Sequence, residues 1–137
     1  MPAEVILDTG ALVSLLDRGQ TDHTACRAVY GSLESALVTT EAVVTEACHL
    51  LARAPAGAER CLEFLLEAGV TIAPATPESL RRSLVLVRKY RDTPMDYADA
   101  SLVVLAEDLG CDRIFTLDRR GFSTYRLGGR RGFRIVP

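Results

Sequence analysis

Met95 to Phe122 reads MDYADASLVVLAEDLGCDRIFTLDRRGF, and the way this stretch folds decides the rest. Two aspartates three apart, Asp96 and Asp99, open it; a helical apolar pattern follows, the chain turns at Gly110, and an apolar run delivers Asp118. Carboxylates bracket a helix-turn-strand unit. At 100° per residue, Ala98, Leu102, Leu105, Ala106 and Leu109 form one apolar stripe. Asp99 falls inside that stripe and Asp96 on its edge, near Glu107. A carboxylate on the buried side of a helix is costly unless it is paired or holds a metal, whereas one in the first turn complements the helix dipole at ~0.3–1 kcal/mol. Asp99 is therefore the anomaly, and Asp96 has an ordinary explanation. Asp118 reads as a strand-end turn residue or as a ligand group at the edge of an open α/β sheet.

Working outward, 137 residues with 48% hydrophobic content are enough for one core and too few for two ordinary domains. A single domain over residues 1–137 is expected. The longest apolar runs fall far short of the ~20 residues of a spanning helix, and Met-Pro-Ala-Glu at the start lacks a charged-then-apolar signal segment. No membrane association and a cytoplasmic location follow as expectations. Cys26, Cys48, Cys61 and Cys111 are widely separated, and only His23 and His49 accompany them. Reduced, mostly core thiols are expected rather than a zinc site or disulfide framework. The net charge of −2 hides an asymmetry: from Arg113 onward there are seven arginines against one acid, while the first 112 residues hold nine basic and seventeen acidic groups. Such a split suits an anionic partner near the C-terminal end, or an arginine-rich solvated surface.

In chain order, Glu4 to Asp8 reads as a short buried strand ending on an aspartate and running straight into a helix to Asp17. Asp8 is either that helix's cap or a ligand group at the sheet's edge. A second helix, capped by Thr21 or Asp22, reaches about Leu33, with His23 in its first turn as a surface residue. Ala36–Thr39 is a second strand, and Thr39 or Thr40 caps a helix over residues 41–52 with Val43, Ala47, Leu50, Leu51 and Ala54 as its stripe. Glu46 lies along the edge of that stripe, close to the interior unless its side chain snorkels out; His49 projects away from it. Pro55 fits the first turn of a fourth helix that ends at Gly69. Val70–Ala73 is a third strand, and Pro77 opens a helix through Leu80, Leu84, Val87 and Tyr90. Phe133–Val136 is a last strand at the sheet edge.

Strands alternating with helices predict right-handed crossovers and a mainly parallel sheet of about 4–5 strands with helices on both faces, a three-layer α/β/α fold. Asp8 and Asp118 then end strands, Asp99 and Glu46 sit on helices packed against the sheet, and all four can converge at its C-terminal edge. Clustered carboxylates repel one another unless a cation neutralises them. Oxygen ligands without His or Cys suit Mg²⁺ or Mn²⁺, which activate water and stabilise charge on a scissile phosphate. Metal-dependent nuclease chemistry is the reading.

ILDTGALVSLL at the N-terminus, TTEAVVTEACHLL, and MDYADASLVVLAEDLG followed by IFTLDRRGF resemble, in order and over nearly the whole chain, the four acidic motifs of PIN-domain nucleases, especially VapC-like toxins of type II toxin–antitoxin pairs. The resemblance implies a PIN-like fold, homodimers, Mg²⁺- or Mn²⁺-dependent endoribonuclease activity on RNA, and inhibition by a cognate antitoxin. Carried over by motif, the catalytic acids are Asp8, Glu46, Asp99 and Asp118, with Thr116 as the small polar residue beside the last. Asp8 and Asp99 most directly hold the metal, with Asp118, Glu46 and Asp96 as further candidates; Asp96 matches an extra acid found in part of the family. Gly121 stands where many relatives have another acid. Because RNA must approach a negative rim, Arg119, Arg120, Arg126, Arg130 and Arg131 are the candidates to guide its phosphates, or to serve a protein interface.

Three alternatives compete. Asp8-Thr-Gly-Ala resembles the triplet of retroviral-type aspartic proteases, but those are all-β and this chain has helical spacing. A haloacid dehalogenase-type phosphotransferase wants an aspartate two residues after the first, where Gly10 stands. A non-catalytic PIN-like binding module is the remaining rival, and Mn²⁺ binding separates it from an enzyme.

Overall fold

A computed structural model describes residues 4–137; Met1, Pro2 and Ala3, read above for a signal segment, lie outside the described residues. Five strands, β1 (Glu4–Leu7), β2 (Ala36–Thr40), β3 (Thr71–Ala73), β4 (Arg113–Phe115) and β5 (Arg134–Val136), form one sheet in the order β3-β2-β1-β4-β5. All pairings are parallel, with Ile6 of the central strand beside Val38 on one side and Ile114 on the other. Buried on both faces, β1 reads as a continuous apolar run, as parallel strands do. The helices are α1 (Thr9–Leu16), α2 (His23–Ser32), α3 (Glu41–Leu50), α4 (Gly57–Glu67), α5 (Pro77–Lys89), α6 (Tyr97–Leu109) and α7 (Arg119–Thr124), with a 3-10 turn at Leu51–Arg53. This is the α/β architecture the alternation predicts.

From β1 the chain moves outward through β2 to β3, then crosses back to β4 on the other side of β1. Connections therefore diverge between β1 and β4, the switch point at which open α/β sheets leave a crevice beyond their C-terminal ends. Asp8 follows β1; Thr116 and Asp118 follow β4.

Several local expectations are revised. The fourth helix begins at Gly57, two residues past Pro55, because the chain first takes the 3-10 turn and Ala56 adopts a left-handed conformation at φ 52°. Gly57 then packs so closely on the Leu51 carbonyl that a Cβ would collide with it. In α5 the buried line is Ser83, Leu86 and Tyr90, while Leu80 and Leu84 are about half exposed. Arg82 sets that rotation by holding Glu107 of α6 through two hydrogen bonds of 2.9 and 2.8 Å. Helix α6 carries no single stripe: Ala98 and every residue from Ala100 to Ala106 are buried, and Leu109 is exposed. Leu50 also faces out, whereas Val43, Ala47 and Leu51 are in the core. His23 is half-buried with Nδ1 2.7 Å from the Ser14 carbonyl, tying α2 to α1, rather than solvated. The four cysteines are free thiols, Cys26 and Cys61 in the core and Cys48 and Cys111 half-buried. No helix among the described residues is long and apolar enough to cross a membrane.

Candidate active site

An open cleft of about 420 Å³ lies over the switch point, lined by Asp8, Thr9, Glu46, Leu50, Asp96, Asp99 and Asp118 together with Gly10 and Leu117. All four acids singled out by the sequence, and Asp96, meet in this one depression. Each of four aspartates also closes a helix terminus. Asp8 caps α1, accepting from Thr9 N at 2.8 Å, and Asp118 caps α7, accepting from Gly121 N at 3.0 Å. Asp96 caps α6 in a reciprocal capping box: its Oδ1 accepts from Asp99 N at 2.8 Å, and Asp99 Oδ2 accepts from Asp96 N at 3.2 Å. Thus the cap and ligand readings are not alternatives here. The N-termini of three helices point their unpaired N–H groups and positive dipole ends at the cleft, which is what lets carboxylates gather there.

The balance is incomplete, and the two deepest acids show it. Asp8 is buried, and desolvation pushes its pKa up to about 6 against the opposing hydrogen bonds from Thr116 and Thr9, with the charges of Asp118 and Glu46 adding to the rise. Asp99 is pushed up to about 8, first by burial, then by Asp96 and Asp8. Both therefore keep their protons to a higher pH than an ordinary carboxyl, and a nearby cation would lower them again. Thr116 links two motifs: its hydroxyl donates to Asp8 Oδ2 at 2.5 Å and accepts from Asp118 N at 3.0 Å. Glu46 reaches the cleft half-buried from α3. His49 is exposed and lines an adjoining groove with Glu46 and Asp96.

The lining side chains offer only oxygen ligands, and the Thr9 hydroxyl is a buried polar atom without a hydrogen-bond partner at the cleft wall. That donor set fits Mg²⁺ or Mn²⁺. Among the described residues no three His, Cys, Asp or Glu side chains gather closely enough to hold one ion. The predicted convergence is thus a shared cleft rather than one crowded coordination sphere, which agrees with the preference of such ions for one or two carboxylates and several waters.

The five arginines divide. Arg119 and Arg120 open α7 directly after Asp118 and are exposed, with Arg119 also donating to the Pro137 carbonyl. Arg130 is exposed on the following loop. Arg126 is half-buried, its guanidinium donating to the carbonyls of Ser123 and Tyr125. Arg131 forms an ion pair at 2.9 Å with Asp112, which Arg134 also holds at 2.8 Å. Asp112 precedes β4, so Arg131 faces the end of that strand opposite Thr116.

Two features escaped the sequence reading. Helix α7 follows Asp118, which the sequence offered as a strand-end turn residue and not as a helix cap. Its packing brings Tyr125, buried and hence indistinguishable in sequence from a core aromatic, to 3.4 Å from Asp99 Oδ2. A signal existed in the spacing of Phe122 and Tyr125, three apart and therefore on one helical face.

The family model described as PIN domain matches residues 5–127. Ribonuclease VapC26 of Mycobacterium tuberculosis (strain ATCC 25618 / H37Rv) is 36% identical over 136 residues, covering 97% of this chain and 100% of that protein. Among solved structures, M. tuberculosis VapC20, described as a sarcin-ricin loop cleaving toxin, superposes with a TM-score of 0.78 at 16% identity, over 84% of this chain and 90% of that one. A toxin–antitoxin complex from Klebsiella pneumoniae gives 0.64 at 17% identity, over 97% and 96%. At such identities the superpositions speak for the fold alone.

Proposed function

This chain belongs to the PIN-domain family, and on that premise we propose that it is a VapC-type toxin, a metal-dependent endoribonuclease acting through the acidic cleft of a single 137-residue domain. The observation that carries the reading is the pair Asp8 and Asp99, two desolvated carboxylates whose pKa values are raised to about 6 and about 8 in a cleft with only oxygen ligands. A cation bound between them would stabilise their ionised forms in place of protons.

Asp8 and Asp99 would hold Mg²⁺ or Mn²⁺, with Glu46, Asp118 and Asp96 around them. When bound, the ion lowers the pKa of an attacking water and offsets charge on the scissile phosphate. The protein supplies orientation. Thr116 donates to Asp8 Oδ2 and so keeps that oxygen an acceptor, while the same hydroxyl receives Asp118 N–H and fixes the start of α7. Asp96, on the exposed side of the capping box, sets the first turn of α6 and with it the backbone of Asp99. Leu50 and Leu117 wall the cleft and limit its water.

Hydrolysis of RNA should require added Mg²⁺ or Mn²⁺, stop in EDTA and leave a 5′-phosphate, read by end-labelling of the products. Activity that persists in EDTA would exclude the mechanism, and absence of calorimetric Mn²⁺ binding would favour a non-catalytic module.

The exposed Arg119, Arg120 and Arg130 are the residues proposed to guide phosphates, and Arg126 and Arg131 to brace the loop that carries them. Arg120→Ala should lower the slope of log affinity against log salt for single-stranded RNA by roughly 0.7. Arg131→Ala should leave that slope unchanged and weaken folding instead, through the loss of its pair with Asp112; a flattened slope for Arg131→Ala would reverse this division. A cytoplasmic location, a cognate antitoxin and a homodimer complete the proposal. Half-exposed Leu80, Leu84 and Val85 on α5 give apolar surface for such a partner.

A further inference from the structure

Tyr125 is buried to within 1% of full burial, yet its hydroxyl ends among the acids rather than in the core. It lies 3.4 Å from Asp99 Oδ2, and Asp99 and Asp118 are, after burial, the main influences that hold the phenol above its ordinary pKa. The ring is fixed from two sides. It makes edge-to-face contacts with Tyr90 at 5.1 Å and with Phe122 at 5.1 Å, and Phe122 in turn packs on Phe133 at 5.3 Å. Two rotatable bonds locked by such packing leave the hydroxyl one place to go.

That place exists because residue 121 is glycine. A Cβ there would lie 3.1 Å from the Tyr125 hydroxyl and 3.0 Å from Asp118 Cγ, and would collide with Asp118 Oδ2. The φ of Gly121 is ordinary helix, so space and not backbone conformation is what the missing side chain provides.

We propose that Tyr125 is a positioning residue of the active site: its hydroxyl donates to Asp99 Oδ2 and, in the space left by Gly121, spans the gap between Asp99 on α6 and Asp118 on α7. Asp99 Oδ2 then has two protein donors, Asp96 N–H and the phenol, and Asp99 Oδ1 is left to face a cation. The bond also couples two successive helices, α6 and α7, across the strand between them, so the spacing of the third and fourth acids depends on it. A phenol donates without adding charge, which an acid at position 121 would do; the cleft gains a second tether and no further repulsion.

This inference rests on the proposed metal-dependent nuclease activity. Tyr125→Phe keeps the ring and both aromatic contacts and removes only the donor. Removal of an outer hydrogen-bond partner of a metal ligand typically costs 10–100-fold in metal affinity or activity. Calorimetric Mn²⁺ affinity should fall by about tenfold or more and kcat should fall with it, while KM for RNA stays near the wild-type value. In an Asp99→Asn background the same substitution should change the residual Mn²⁺ affinity little, because the two residues act as one unit. Wild-type Mn²⁺ affinity and kcat in Tyr125→Phe, or an undiminished effect in the Asp99→Asn background, would overturn the assignment. Should Tyr125→Phe fold poorly, the wild-type protein still tests it: the ¹³Cζ resonance of Tyr125 should move on Mg²⁺ saturation, and a resonance that stays put would refute it. A wild-type protein that neither binds Mn²⁺ nor cleaves RNA would instead refute the activity on which the inference rests.

Discussion

Asp99→Asn is expected to reduce RNA cleavage by about a thousandfold or more while leaving the metal-free melting temperature unchanged or higher. An ion held at a reacting phosphate supplies several kcal/mol of transition-state stabilisation, and each 1.36 kcal/mol is tenfold in rate. Folding pays the opposite way. Burial and the charges of Asp96 and Asp8 already push the Asp99 pKa up to about 8, so near neutral pH the metal-free fold must take up a proton there that the unfolded chain does not bind, and this costs stability. Asparagine removes that titration and keeps an oxygen to accept from Asp96 N–H and the Tyr125 hydroxyl. Asp96→Asn is the comparison: asparagine caps helices as well as aspartate does, and Asp96 is on the exposed side of the pair, so measurable cleavage should remain. Initial rates with excess Mn²⁺ and calorimetric melting in EDTA check both. Equal loss of activity in the two variants would deny the distinction between them, and a marked fall in melting temperature for Asp99→Asn would make Asp99 a structural aspartate.

In EDTA, stability should fall as pH rises from about 4 to about 8, the reverse of ordinary acid denaturation. A carboxyl whose pKa is higher folded than unfolded binds more protons in the native state, so its stabilising effect is complete below the unfolded value and is lost as pH climbs through the folded one. For Asp8 the rise is from 3.8 to about 6, worth about 3 kcal/mol at 1.36 kcal/mol per unit; Asp99 extends the window to about pH 8 with the same sign. Other acids pull oppositely, in a separate range. The hydrogen bond from Arg82 lowers Glu107, and at Asp112 burial is outweighed by hydrogen bonds from Arg134 and Arg131. Their contributions are present above the unfolded carboxylate range and disappear as pH falls through their lowered folded values. Urea midpoints across this range should therefore peak near pH 4. Saturating Mn²⁺ should restore part of the loss at pH 8, by RT ln(1 + [L]/Kd), about 2.7 kcal/mol at a hundredfold excess over Kd. A midpoint in EDTA that rises between pH 5 and pH 8 would show that Asp8 and Asp99 are already compensated within the protein, and would remove the physical case for a cation.

What could be read from the chain alone was whatever is encoded locally. Alternating strand and helix periods, the Pro77 start of α5, the Asp96 start of α6 and the Gly110 stop at φ 63° are all matters of a few neighbouring residues. Together they were enough for the parallel α/β fold and for placing Asp8, Asp118, Asp99 and Glu46 near one edge of the sheet. Only the folded chain decided how each helix is rotated and what lies beside it. Leu80 and Leu84 share the apolar period of α5 with Val87 and Tyr90 but turn outward, because the Arg82–Glu107 pair and the Ser83–Leu86–Tyr90 line set its contact with α6. Asp99 stood out in the sequence by its position on a stripe, yet α6 is buried almost all round; the acid is perturbed because its first turn packs at the switch point beside Asp8 and Asp96. The departure of Arg131 to Asp112 and the arrival of Tyr125 at Asp99 have the same origin. Periodicity specifies which faces a helix has, and long-range packing alone specifies which face meets which neighbour.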